Sequence, residues 1–366
     1  MGKKIVFIIS NIHLPRCINR VREFHQRGYE VEVYYFDRTI FNNKVSELDV
    51  PMHSLGELEA GSGSYFKRMP KQYSIIRNVV KKHKREDAVF YLFGFDMALI
   101  YHYCFTKKPY IFEESDLRHT YFPNILKKVL EVVDKRIIKK SLMTVFTSEG
   151  FCEYHFGSKI PENVAFIPNR LSPVINDVQL LPHKEYIKDK LSIGFVGSPR
   201  FKAVYNFIQV YCANFPQYEM HLFGEPCLDG IEELRGKYPN CFFHGTFTSP
   251  QDLPTIYSSI DLVLSTYDAG VENVRYAEPN KIYESMFFEV PIIVSKNTFL
   301  STKVERLGIG YSIDAAIDND IVTFVKGLSE LSLNEKIENI KKIDKNTLVS
   351  INDSFYTKLD SYLAKL

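Results

Sequence analysis

The feature that most constrains the fold is an alternation of short apolar runs with segments of helical periodicity. Residues 5–10, 88–93 and 143–146 have the length and the continuous apolar character of buried strands. Helical segments separate these runs, which favours a parallel sheet with crossover helices. The first half of the chain therefore predicts an α/β domain with a doubly wound parallel sheet.

The alternation stops after residue 169 and resumes near residue 190. This interval contains Pro173 and Pro182 and few periodic apolar residues, which indicates a linker. We predict an N-terminal domain (1–170), a linker (171–190), a second α/β domain (191–345) and a C-terminal helix (346–366) that can pack back on the first domain. Because doubly wound domains bind ligands at the carboxyl ends of their strands, we expect the site in a central cleft between the two domains.

Composition and charge restrict the class of protein further. The 366 residues are 45% hydrophobic and 25% charged, which is typical of a globular protein, and no apolar run is long enough to span a membrane. The six cysteines are dispersed without a CxxC pair, which favours reduced thiols and a cytoplasmic location. Residues 1–170 carry 27 Lys and Arg against 19 Asp and Glu. This basic excess predicts contact with something anionic, such as the inner face of a membrane.

Several familiar motifs are absent from the sequence. No GxGxxG follows the first strand and no GxxxxGK[ST] is present, which argues against a dinucleotide oxidoreductase and a P-loop NTPase. The basic residues lack an interleaved aromatic motif that would read nucleic acid. The segment 318–320 has the DxD spacing of some metal sites, but it directly precedes a helical run, so we favour helix capping.

The segment 278–286 carries the strongest functional pattern. Lys281 places a positive charge at a predicted helix start, where phosphate is favoured. Glu284 follows on the same helix face and can accept hydrogen bonds from hydroxyl groups. In isolation, a capped surface helix with an ion pair between the two residues would be the better explanation. The apolar run 290–294 favours the binding interpretation, because the helix must then pack on the sheet. Phosphate beside hydroxyls indicates a nucleotide sugar.

Three weaker patterns leave alternatives open. Arg200 and Lys202 follow Gly197 at a strand–helix turn and could reach a phosphate, or they could be solvated cations. The acidic segment 113–116 and His13 follow strands and could contact acceptor hydroxyls, or they could lie in ordinary loops. The lysine-rich helix at 127–141 is either a solvated face or a surface that docks on anionic lipid.

Taken together, the chain resembles the retaining GT-B glycosyltransferases of bacterial capsule and surface-polysaccharide assembly over nearly its full length. The resemblance rests on the order and spacing of fragments that are individually weak: Pro15-Arg16, 27–31, 112–116, 167–169, Gly197, 221–224, 243–245, 256–262, 279–284 and Val290-Pro291. It implies two Rossmann-like domains that face a cleft. It also implies transfer of a sugar from a UDP- or GDP-linked donor to a saccharide acceptor, with retention of configuration and with no metal or other cofactor. We expect a lipid-linked acceptor and a cytoplasmic protein at the inner face of the membrane.

The resemblance also implies roles for individual residues. Glu284 matches a carboxylate that binds the ribose, while Gly197 with Arg200 or Lys202, and Asn280 with Lys281, match positions near the diphosphate. The common pattern has a second glutamate eight residues before Glu284, where this chain has Tyr276. The candidate catalytic residues are Glu272 and Glu278, either of which could substitute for it, and Asp116 at the acceptor side. Two alternatives remain: an isomerase similar to nucleotide-sugar 2-epimerases, and an inactive binding subunit.

Overall fold

Continuous apolar strands form the centre of the first part of the chain. The computed structural model describes residues 3–37, 48–58, 65–104, 106–182, 190–225 and 230–366. Along residues 1–167 the elements are β1 (Lys4–Ile9), α1 (Pro15–Gln26), β2 (Glu30–Asp37), β3 (Met52–Glu57), α2 (Tyr65–Lys82), β4 (Ala88–Phe93), α3 (Phe95–His102), β5 (Tyr110–Glu114), α4 (Asn124–Lys140), β6 (Met143–Phe146), α5 (Glu149–Phe156) and β7 (Val164–Phe166). A 3-10 helix, Arg118–Tyr121, lies between β5 and α4.

A second series of strands and helices follows residue 167. It consists of β8 (Ser192–Val196), α6 (Lys202–Asn214), β9 (Glu219–Phe223), α7 (Ile231–Lys237), β10 (Cys241–Gly245), α8 (Leu253–Ser258), β11 (Leu262–Ser265), α9 (Glu272–Tyr276), α10 (Lys281–Phe287), β12 (Ile292–Ser295), α11 (Phe299–Leu307), β13 (Gly310–Ile313), α12 (Asp318–Gly327) and α13 (Glu330–Lys341). The 3-10 helices Pro173–Asp177 and Lys345–Leu348 flank this series, and α14 (Asp353–Leu363) ends the chain.

Each series builds one parallel sheet. In the described residues, the first sheet has the order β3-β2-β1-β4-β5-β6-β7 and the second has the order β10-β9-β8-β11-β12-β13. All strand pairs of both sheets are parallel. In each sheet the strand order reverses beside the first strand, which is the doubly wound Rossmann arrangement. The predicted fold class, two Rossmann-like α/β units, is confirmed.

The chain divides into two compact units. Unit 1 comprises Met1–Ile167 together with Asn352–Leu366, and unit 2 comprises Pro168–Ile351. Of the predicted linker, Leu171 and Ile175 are buried in the core of unit 2, whereas residues 183–189 lie outside the described residues. The predicted C-terminal helix begins later than expected, because Lys345–Leu348 is a separate 3-10 helix and Asp353 is the first residue of α14.

Local sequence explains several element boundaries. Pro15 occupies the first turn of α1, where its missing N–H costs no hydrogen bond. Gly28 follows that helix with φ of +84°, a conformation that favours glycine.

In the described part of the chain, five cysteines are free thiols, while Cys227 lies outside it. No described helix combines the length and the apolar character that a membrane crossing requires.

Candidate functional site

Glycine turns at the carboxyl ends of neighbouring strands shape one rim of the second sheet. Gly197 follows β8 with φ of +122°, and Gly224 follows β9 with φ of +123°. The amide of Gly197 donates to the carbonyl of Phe223 (2.7 Å), and a Cβ on Gly224 would collide with the carbonyl oxygen of Gly197. The two turns therefore pack backbone against backbone. Because Gly197 has no side chain, the ammonium group of Lys281 can lie beside it.

The ammonium group of Lys281 lies at this rim. Lys281 begins α10 and is 8% exposed. Its Nζ would be 3.4 Å from a Cβ on Gly197, lies 4.8 Å from the ring centroid of Phe195, and donates to the hydroxyl of Tyr267 at 3.4 Å. The structure thus brings Gly197 and Lys281 together within unit 2, and places a cation where parallel strands end.

The carboxylate of Glu284 lies one helical turn beyond Lys281 and is nearly fully buried. Its Oε2 accepts a hydrogen bond from the Tyr257 hydroxyl (2.7 Å), and its Oε1 accepts one from Nδ2 of Asn280 (2.6 Å). Burial raises the pKa of this carboxyl, although the hydrogen bond from Tyr257, the Lys281 charge and the hydrogen bond from Asn280 oppose the rise. Asn280 itself is exposed, so its side chain can turn away and leave Oε1 to a hydroxyl.

Arg200 and Lys202 lie on the turn between β8 and α6. Both side chains are exposed, and the guanidinium of Arg200 lies 5.3 Å from the ring centroid of Phe201. The first amides of α6 already have a partner, because those of Lys202 and Ala203 donate to the Asp268 carboxylate at 3.3 and 2.8 Å. These two amides are therefore engaged, whereas the cationic side chains of Arg200 and Lys202 are exposed.

Glu278 and Glu272 differ in their surroundings. Glu278 is buried, accepts a hydrogen bond from the Tyr283 hydroxyl through Oε1, and pairs with Lys303 Nζ through Oε2 at 2.8 Å. Both of its carboxylate oxygens are thus engaged inside unit 2. Glu272 is the first residue of α9 and is half-buried, and Tyr276 is the last residue of the same helix.

The acidic segment 113–116 is mostly buried, unlike the predicted acceptor-facing cluster, because Glu113 and Glu114 are the last two residues of β5 and do not follow it. Glu113 is paired with Arg20 (3.1 Å to Nε) and accepts a hydrogen bond from the Tyr91 hydroxyl. Glu114 is also fully buried, which leaves Asp116 as the exposed carboxylate of the segment. Near the end of β1, His13 Nε2 lies 2.7 Å from Asp37 Oδ1. All of these residues belong to unit 1.

The acidic residues of 318–320 lie in the first turn of α12, but neither forms a side-chain cap, and Ile317 is the N-cap residue. Asp318 accepts a hydrogen bond from Asn206 (3.0 Å), and Asp320 pairs with Lys296 (2.9 Å). Their charges still complement the helix dipole. The detailed capping prediction is therefore wrong, while the assignment to a helix start is confirmed.

Sequence reasoning missed Tyr257, Tyr267 and Asp268. Tyr267 and Asp268 follow β11, so the strand-end rule that singled out Gly197 could also have found them. Thr266, in the same segment, has a buried hydroxyl without a hydrogen-bond partner. Tyr257 lies in the fragment 256–262 that contributes to the resemblance, but no local pattern links it to Glu284, which lies 27 residues further along the chain.

The fold is that of GT-B enzymes, because solved structures of such enzymes align with nearly the full length of this chain. HepE from Anabaena, crystallised with UDP and glucose, aligns with a TM-score of 0.70 at 16% identity over 98% of this chain and 100% of that one. Sucrose-phosphate synthase from Thermosynechococcus elongatus aligns with a TM-score of 0.69 at 13% identity over 99% of both chains. The lipopolysaccharide outer core galactosyltransferase WaaB aligns with a TM-score of 0.64 at 14% identity, over 99% of this chain and 100% of that one. The chain matches no protein-family model and no curated protein sequence.

Proposed function

We propose that this chain is a glycosyltransferase that takes a nucleotide-diphosphate sugar as donor. The observation that carries the proposal is the geometry of α10, which presents the Lys281 ammonium beside Gly197 and the Glu284 carboxylate one turn further along. A cation and a carboxylate at this spacing suit the diphosphate and the ribose hydroxyls of one nucleotide. The GT-B fold supports the proposal, because such a rim is where doubly wound sheets bind nucleotides.

The proposed chemistry needs little beyond positioning and charge. Lys281, with Arg200 or Lys202, would stabilise the negative charge that develops on the departing diphosphate. Metal-free donor chemistry is part of the proposal, since side-chain cations would supply the positive charge. The ribose would replace the Asn280 amide at Glu284 Oε1. Glu272 and Asp116 remain the candidate catalytic residues, whereas the engaged carboxylate of Glu278 favours a positioning role.

The finer assignments are also proposals. UDP is the first nucleotide to test, because the Anabaena protein was crystallised with UDP-glucose. WaaB is named a galactosyltransferase of the lipopolysaccharide outer core, which supports a lipid-linked saccharide acceptor in cell-surface polysaccharide synthesis. We further propose transfer with retention at the anomeric carbon, which NMR of the product would establish. A cytoplasmic chain docked on the inner face of the membrane would meet such an acceptor.

The central test is nucleotide binding by the intact chain and by a Lys281→Ala variant. UDP should raise the melting temperature by mass action, and its Kd should be at least about tenfold weaker in Lys281→Ala, since one charge-assisted hydrogen bond is lost. Lys326→Ala is the matched control, because Lys326 is an exposed lysine in the last turn of α12. Equal affinities in all three proteins would remove Lys281 from the donor site.

Turnover then separates the proposed function from its alternatives. Release of UDP together with a glycosylated acceptor supports the transferase. Conversion of the donor without any acceptor would support an isomerase. Binding without turnover across UDP-, GDP-, CMP- and ADP-sugars would support an inactive binding subunit.

A further inference from the structure

Four buried side chains meet inside unit 1, whereas the residues assigned to the donor belong to unit 2. Glu114 ends β5, His119 lies on the 3-10 helix Arg118–Tyr121, Asp134 lies on α4 and His155 lies on α5. The side chains of all four are fully buried. Among the described residues, Glu114, His119 and Asp134 each offer one ligand atom, and these three atoms all lie within 4.8 Å of one another.

The distances between these atoms match the edges of a metal coordination shell. Nε2 of His155 is 3.1 Å from both oxygens of Glu114 and 3.9 Å from Oδ2 of Asp134. Nδ1 of His119 is 3.0 Å from the same Asp134 oxygen. A tetrahedral ion with ligands at ~2.0–2.1 Å has ligand–ligand edges of about 3.3 Å. The donor atoms of Glu114, His119 and Asp134 are close enough to converge on one central ion, and a shift of the His155 ring would bring its Nε2 to the same ion.

The charges in the cluster point to a cation as well. Two carboxylates are buried together, and their ion-pair partners are histidines rather than lysine or arginine. Oδ1 of Asp134 is buried and has no hydrogen-bond partner. A buried carboxylate is costly unless it is paired or coordinates a metal, and a divalent ion would neutralise both carboxylates at once.

We propose that Glu114, His119, Asp134 and His155 form a structural binding site for a divalent first-row metal ion, with Zn²⁺ as the best fit. Two imidazole nitrogens and two carboxylate oxygens are ligands that Zn²⁺ accepts, and a set of four protein ligands is typical of a closed structural site. The Tyr154 hydroxyl, 3.4 Å from Nε2 of His119, would orient that ring from outside the shell. The ion would join the end of β5 to α4 and α5. The proposed metal ligands belong to unit 1 and the donor residues to unit 2, and no metal is proposed for the donor.

The test uses the full-length chain and does not depend on glycosyl transfer. The protein is stripped with a chelator, equilibrated with ZnCl₂ or CoCl₂ and freed of excess metal. We expect one zinc per chain by elemental analysis, a higher melting temperature with zinc than without, and the intense visible bands of four-coordinate Co²⁺. In His155→Gln, zinc binding should weaken by more than the ~10–100-fold that loss of an outer-shell partner costs.

A surface histidine pair provides the control. His221 Nδ1 lies 3.0 Å from His244 Nε2 in unit 2, so metal bound there would be lost in His244→Gln but retained in His155→Gln. The proposal predicts the opposite pattern. If His155→Gln fails to fold, the metal content and the Co²⁺ spectrum of the unaltered chain still test whether the metal site exists. Less than about a tenth of an equivalent of zinc in that chain, or Co²⁺ bands typical of six-coordination, would overturn the site.

Discussion

Glu284 is the residue whose burial and proposed function conflict most directly, because burial disfavours the charged carboxylate that would bind the ribose. Burial raises its pKa above the ordinary value of 4.5, so the folded chain keeps this proton to higher pH than the unfolded chain does. The contribution of Glu284 to stability therefore falls as pH rises from 4.5 through the folded-state pKa. Glutamine does not titrate. We expect the stability of Glu284→Gln relative to the unaltered chain to increase over this pH interval, as measured by urea unfolding.

The same substitution should weaken UDP binding about tenfold, because a charge-assisted hydrogen bond to the ribose becomes a neutral one. Glu278→Gln provides the contrast in stability. It removes the charge that pairs with Lys303, so it should lower the free energy of unfolding by about 1–3 kcal/mol. If Glu284→Gln destabilised the chain as much as Glu278→Gln does, the Glu284 carboxylate would be a structural anchor and not a ligand-binding group.

At the residue scale, the sequence predicted where a site residue lies in the fold better than it predicted which side chains that residue contacts. Lys281 and Gly197 were both singled out because each lies where a helix or strand begins or ends, and the fold brings such ends together. The engagement of Glu278 could not be read in the same way, because Lys303 lies 25 residues further along the chain. Pairings of this kind depend on how α11 packs against the segment between α9 and α10, which local patterns do not specify.

At the element scale, α4 carries an exposed face that combines apolar and basic side chains. Ile125, Val129 and Val132 are 84%, 55% and 67% exposed, and their spacing places them on one side of the helix. Arg136 and Lys139 lie on the same side, whereas Ile137 and Ile138 are buried on the other. This face suits an anionic bilayer, which would accept the aliphatic side chains and attract the cations.

We therefore expect the chain to bind vesicles that contain phosphatidylglycerol and to bind pure phosphatidylcholine weakly. Each charge removed, as in Arg136→Gln or Lys139→Gln, should cost about 1 kcal/mol, or roughly fivefold in the partition coefficient measured by vesicle sedimentation. Val132→Ser should also weaken binding. Leu331→Ser is the matched control, since Leu331 is 82% exposed but lies in unit 2. Equal loss in both serine variants would exclude α4 as the docking face.

Periodicity predicted strongly amphipathic or continuously apolar elements and failed where a local signal was mixed. The strands at 88–93 and 143–146 have the predicted bounds. By contrast, α2 contains Pro70, a residue that normally interrupts a helix, and β3 has mostly exposed side chains. Neither was predicted, because each depends on tertiary contacts rather than on its own propensity.

At the scale of the whole molecule, the chain leaves unit 1 at Ile167 and returns to it at Asn352. The alternation of strands and helices predicted both sheets, but it did not predict which residues of α14 are buried in the core of unit 1. That helix contributes Phe355, Tyr356 and Leu359 to the buried cluster around Phe24. The rings of Phe24 and Tyr356 are 5.1 Å apart at nearly perpendicular planes, and Tyr356 donates a hydrogen bond to Glu23 at 3.1 Å. Unit 1 is thus completed by the last residues of the chain.

Leu359→Ala tests how much of the stability of unit 1 depends on that return. Leu359 is fully buried in the core, so its truncation should lower the free energy of unfolding by about 2–5 kcal/mol, through lost apolar burial and a residual cavity. Leu366→Ala is the matched control at the same terminus, because Leu366 is 58% exposed and its truncation should change stability by less than about 0.5 kcal/mol. Urea unfolding monitored by tyrosine fluorescence would measure both. If the two variants were equally stable, α14 would be an appendage to unit 1, and the burial of Leu359 would carry little of its folding energy.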